Sequence, residues 1–232
     1  MIQPQIAQQL TLMQLSDSFF PTGSFTLSHG LESLVKTGKV QSTQDLQAFL
    51  QLLLRNKIGT TDLVAVLHSH RGICNNSLEP ARQADEQLFA QTAIAKLRET
   101  QRQSGRALLM VSCSTWQDDR LELLSQETAK GSLRCLHPII FGVVAAIAGL
   151  NEQQTALSFL HSLVTSILSA AIRLGVLGHL HAQQILRPLA ADIEAAWLTA
   201  KSMSLAQMWS CTPLIDIAQM QHSKLSQRLF AN

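Results

Sequence analysis

Apolar residues along this chain recur at three and four positions, the repeat of one face of an α-helix. Leu46, Phe49, Leu50 and Leu53 follow it, with Ser42 or Thr43 placed to cap the helix start. Ile6, Leu10 and Met13 form an earlier apolar stripe. Leu31, Leu34 and Val35 form a short one that closes on Gly38 beside Lys36 and Lys39, a good helix stop. Thr60 or Thr61 caps a helical segment that reaches His70 and ends by Gly72. NNSLEP at 75–80 breaks the chain, and Pro80 suits the first turn of a helix running through Leu88, Ala95 and Leu97. Leu108–Val111 and Leu121–Leu124 belong to two further helices parted near Gln117, and GSLRCLHP at 131–138 is the clearest mid-chain break. Asn151 with Gln154 predicts a capped helix to Arg173, with Leu163 in its apolar stripe. Gly175 and Gly178 interrupt the pattern before a last helix over roughly Leu180–Lys201.

No run of alternating β-branched residues and no Asn-Gly or Asp-Gly hairpin signal is found. The expected fold is therefore all-α: one helical bundle over residues 1–232, of roughly nine or ten helices joined by short connections. Composition adds a surface argument. Of the 232 residues, 15% are charged and 46% hydrophobic, against a usual charged share of about 25%. So few charges leave apolar area to be covered by partners. The net charge is +2 with the basic residues scattered, so nucleic acid is not an expected partner. The longest apolar run, Ile139–Leu150, is shorter than the roughly 20 residues that span a bilayer, and reads as a core helix. The four cysteines lie far apart with no CxxC pair. With no signal-peptide pattern at the N-terminus, they suggest the reducing cytoplasm.

The stretch LSDSFFPTGSFTLSHGLE (15–32) interrupts the helical pattern with aromatic and turn-forming residues and no lysine or arginine. Fragments of serine-acylase motifs lie nearby: SDS at 16–18, Ser33-x-x-Lys36 and KTG at 36–38. They crowd one segment, whereas that chemistry draws its elements from distant parts of a fold. PTGS offers one glycine and no following lysine, which suits a type I turn rather than a phosphate cradle. Asp17, Pro21, Gly23, Ser24, Ser28 and Gly30 are assigned local turn and capping roles, and Phe20 and Phe25 partner contact. His68 and His70, like His179 and His181, are two apart and point to different helix faces. His70 and Cys74 could share a face, but the expected helix end at Gly72 separates them, so no metal site is assigned. Glu99, Arg102 and Arg106 sit at helix-neighbour spacing, as a solvated face or a docking patch. The C-terminus, MQHSKLSQRLFAN (220–232), ends on Arg228, Leu229 and Phe230. Such a tail either packs back on its own bundle or orders on a partner, with Phe230 as anchor and Arg228 as a fork for a carboxylate or phosphate.

The opening stretch, RETQRQSGRALL at 98–109, HPIIFG at 137–142 and PLIDIAQMQH at 213–222 leading into RLFAN together resemble the UreF family of urease accessory proteins. The resemblance covers nearly the whole chain. Departures are Ser223 where an acidic residue is frequent, Val176-Leu177-Gly178-His179 in place of Pro-Leu-Gly-Gln, Phe25 where tyrosine is frequent, and Asn232 where serine is usual. The resemblance implies an all-α, cytoplasmic homodimer without catalysis of its own. It implies a bridge between a UreD/UreH-like accessory protein and a UreG-like GTPase for nickel insertion into apo-urease. Nickel is then handled by the assembly, with no cofactor held stably and no membrane partner. Phe25 and Arg228 match positions tied to assembly; His222, Leu229 and Phe230 join them as expected contacts, with residues 220–232 ordered by partners. The alternative role is a GTPase-activating protein supplying an arginine in trans.

Overall fold

The structure, a computed structural model, describes residues 3–17, 20 and 27–231. Twelve α-helices and two 3-10 turns account for most of it, and no strand occurs among the described residues. In order they are α1 (Pro4–Ser16), α2 (Leu31–Lys36), α3 (Thr43–Asn56), α4 (Asp62–Cys74), α5 (Glu79–Gln91), α6 (Ala95–Thr115), α7 (Asp119–Lys130), α8 (His137–Ile147), α9 (Glu152–Arg173), α10 (His179–Leu186), α11 (Leu189–Ser202) and α12 (Pro213–His222). The all-α expectation holds, with more helices than expected. The segment after Pro80 is two helices, parted at Thr92–Ile94. The segment from Leu180 to Lys201 is also two, because Pro188 cannot donate the backbone bond that would continue α10. The segment 213–222 is a helix in its own right.

Several starts and stops follow local chemistry. Ser42 caps α3 by accepting from the Asp45 amide, while the Asp45 carboxylate accepts from the Ser42 amide. Asn151 and Gln154 repeat the arrangement at α9. At α4 the expected cap is absent: Thr61 turns its hydroxyl back to the Lys57 carbonyl and across to Asp62. The helix also continues through Gly72 to Cys74 rather than stopping there.

α4 lies at the centre of the bundle, packed on α5, α8, α9 and α11, with most of its residues buried. It meets α8 at very short range. A β-carbon built on Gly142 would stand 2.3 Å from the Val66 carbonyl oxygen, so only glycine lets these two backbones approach so closely. The break at 131–136 is held by Asp85 from α5, whose carboxylate accepts from the amides of Arg134 (2.6 Å), Cys135 (3.2 Å) and Leu136 (3.0 Å). Burial pushes the Asp85 carboxyl up, and the three amides partly offset this. One hydrophobic cluster runs from Leu15 of α1 to Ala218 of α12.

α9 is the one described helix long and apolar enough to cross a membrane, yet most of its apolar stretch is buried among its neighbours, as in a core helix. Its core face is Leu160, Val164 and Ile167. Leu163, expected in that stripe, is only half-buried. The α1 stripe is also turned over: Ile6, Leu10 and Met13 face solvent, while Leu15 is buried.

Candidate functional site

The two ends of the chain meet at one carboxylate. Gly30, at φ +86°, turns the backbone into α2 and sits against α12, where a β-carbon would stand 3.2 Å from the Ile215 carbonyl oxygen. This places Glu32 in the first turn of α2, fully buried beneath α12 and the tail. A buried carboxylate needs donors. Lys36 supplies one at 2.9 Å, His222 Nε2 a second at 2.8 Å, and the amides of Leu229 and Phe230 two more at 2.9 and 3.2 Å. The ionised carboxylate only accepts, so His222 carries its hydrogen on Nε2. Burial would raise the Glu32 carboxyl, but donation from Leu229, His222 and Lys36 holds it below the usual range. Lys36 also donates to the Gln227 carbonyl. Phe230 is buried, with the Arg173 guanidinium 4.3 Å above its ring centre. Beside this clasp, Lys57 pairs with Asp216 at 2.5 Å and ties α12 to the centre of the bundle.

The expected contact residues divide under this geometry. Arg228 and Leu229 are exposed, Leu229 by 66%, and Arg228 has no ion pair among the described residues. Leu214, Ile217 and Met220 continue the apolar surface along the outer face of α12. Phe20, His222 and Phe230 were expected at a partner surface and instead lie inside their own chain. Phe20 packs 6.2 Å from Trp116, His222 bonds to Glu32, and Phe230 fills the pocket under Arg173. The tail thus packs back on the bundle, with Phe230 seated beneath Arg173. Phe25, Pro21, Gly23 and Ser24 lie outside the described residues. Asp17 ends α1 and its carbonyl accepts from the Phe20 amide, the Ser28 carbonyl accepts from the Leu31 amide, and Gly30 precedes α2. Of the charged face on α6, Arg102 is tied down, to Glu99 at 3.3 Å and to the Arg134 carbonyl, while Arg106 faces solvent.

A cavity of about 370 Å³ is lined by α1, α4, α6, α8, α9 and the turn before α2. His29, His137 and Asp62 bring titratable groups to it. His29 stands in the left-handed region at φ 52°. Burial lowers both imidazoles to about 4, with Lys57 adding to the effect at His29, so both are neutral near pH 7. Burial raises the Asp62 carboxyl, against donation from Thr61. His137 Nε2 and Gln101 Oε1 are buried without a hydrogen-bond partner among the described residues. No group of three or more His, Cys, Asp or Glu is placed to hold a metal ion among the described residues. His68 and His70 instead face the backbone carbonyls of Met203 and Leu150.

The UreF family model matches residues 40–190. A urease accessory protein UreF of Trichodesmium erythraeum (strain IMS101) is 65% identical over 232 residues, the whole of both chains. The chain belongs to the UreF family. A UreF of Rhodopseudomonas palustris (strain BisB18) is 30% identical, covering 97% of this chain and 92% of that protein. One of Yersinia enterocolitica is 27% identical over 223 residues. Two of the segments carrying the UreF resemblance, at opposite ends of the chain, are those that close on Glu32. The clasp itself was not foreseen: Glu32 reads in sequence as a helix-dipole carboxylate, and nothing local signals a bond to residues near the C-terminus.

Proposed function

We propose that this UreF-family chain is a non-catalytic adaptor in urease maturation. It bridges a UreD/UreH-like accessory protein and a UreG-like GTPase, as a homodimer in the cytoplasm, while the assembly inserts nickel into apo-urease. The observation that carries the reading is the tail held on Glu32, which leaves Arg228 and Leu229 outward beside the apolar face of α12. A forked donor next to exposed apolar side chains is a recognition surface, built to order where it is needed. Arg228→Ala is expected to cut capture of the GTPase at least about tenfold while leaving helicity and self-association unchanged, since the side chain makes no ion pair among the described residues. Undiminished capture would overturn Arg228 as a contact. Single-turnover GTP hydrolysis with and without this chain separates the adaptor from an activating protein. Stimulation that vanishes in R228A supports activation by an arginine in trans, and no stimulation supports the adaptor.

A further inference from the structure

We propose that Cys74 is a reactive thiol that exchanges with small disulfides, with His70 as its proton acceptor. Cys74 is the last residue of α4 and is exposed, and its Sγ lies 3.8 Å from His70 Nδ1, one turn earlier. The other ring nitrogen, Nε2, is 2.8 Å from the Leu150 carbonyl oxygen. A carbonyl only accepts, so Nε2 carries the hydrogen and the lone pair of the neutral ring is on Nδ1, facing the thiol. The ring is buried and cannot turn this lone pair to water. When Nδ1 takes the thiol proton, Nε2–H keeps its bond to Leu150. The Glu152 carboxylate, itself paired with Arg71, lies within electrostatic reach of the new imidazolium, with Lys201 nearby. Arg120, paired with Asp118 on the neighbouring segment, is within reach of the sulfur. The C-terminal helix dipole opposes a thiolate at this position, so the imidazole has to outweigh it.

The remaining thiols lack this arrangement. Burial pushes Cys135 up to about 11 and raises Cys113. Cys211 is exposed, but its sulfur has no hydrogen-bond partner among the described residues. In the proposed exchange the Cys74 sulfur attacks one sulfur of the small disulfide and the S–S bond breaks. A mixed disulfide forms, and the departing thiolate takes the proton from His70 Nδ1, so no other oxidant is needed.

Incubation of the full chain with oxidised glutathione, followed by peptide mass mapping, compares Cys74 with Cys211 in one sample. Cys74 is expected to be modified at least about tenfold faster near neutral pH. Equal rates overturn the proposal. His70→Gln, checked for folding by circular dichroism, should bring Cys74 down to the Cys211 rate. A folded H70Q that keeps the fast rate removes His70 from the mechanism. Where H70Q does not fold, the ratio of the Cys74 rate to the Cys211 rate in the unaltered chain decides.

Discussion

Glu32 accepts from Lys36, His222 and two tail amides, and charge-assisted bonds of this kind contribute about 1.5–3 kcal/mol each when one partner is buried. Its neutral isostere cannot replace a charged acceptor. Glu32→Gln should speed amide exchange at Leu229 and Phe230 by roughly tenfold or more at neutral pH, the effect of losing about 1.4 kcal/mol. Exchange unchanged from the parent chain would show that the tail is held by Phe230 alone. The pH dependence has a definite sign. The folded carboxyl titrates below its unfolded value, so its contribution is complete above the unfolded pKa of about 4.3 and is lost as pH falls through the lower folded value. Tail protection should weaken only under acid conditions, and the E32Q chain should lack that acid step.

Among the elements, the α4–α8 crossing is the least forgiving. Gly142→Ala must push the helices apart or strain the backbone at Val66, at a cost of roughly 1–3 kcal/mol by denaturant titration. A change within about 0.5 kcal/mol would show that the crossing is looser than its geometry implies. The same elements show how far residue patterns reach. The cap at Ser42, the box at Asn151 and the stop at Gly38 were legible because each rests on neighbours in sequence, and the break at 131–138 from its own composition, although Asp85 of α5 is what holds it. The division of α5 from α6 was not. Thr92–Ile94 contain no glycine or proline, and Arg98 secures the break by donating to the Thr92 carbonyl. Side-chain direction was the larger failure. Phe20 and Phe230 looked like anchors for another protein, yet their pockets are built by Trp116 and Arg173, far away in sequence. Arg228 and Leu229 could be placed outside because a chain end has few neighbours to bury them.

Among the described residues, α1 and α12 each leave three apolar side chains outside, Ile6, Leu10 and Met13 on the first and Leu214, Ile217 and Met220 on the second, besides single exposed residues such as Met110 and Leu180. Ile217→Glu should leave stability within about 0.5 kcal/mol, because the side chain is half exposed at 50%. It should nonetheless reduce co-purification with a UreD/UreH-like protein, read as the mass of the recovered complex. Full recovery of that complex would remove the α12 face from the interface. One further consequence belongs to the order in which the chain is made. Glu32 and Leu229 are separated by 197 positions, so a ribosome releases the carboxylate long before it supplies the amides that satisfy it. A polypeptide lacking Leu229 and Phe230 cannot finish this corner, so the closed clasp records that synthesis has passed those two residues.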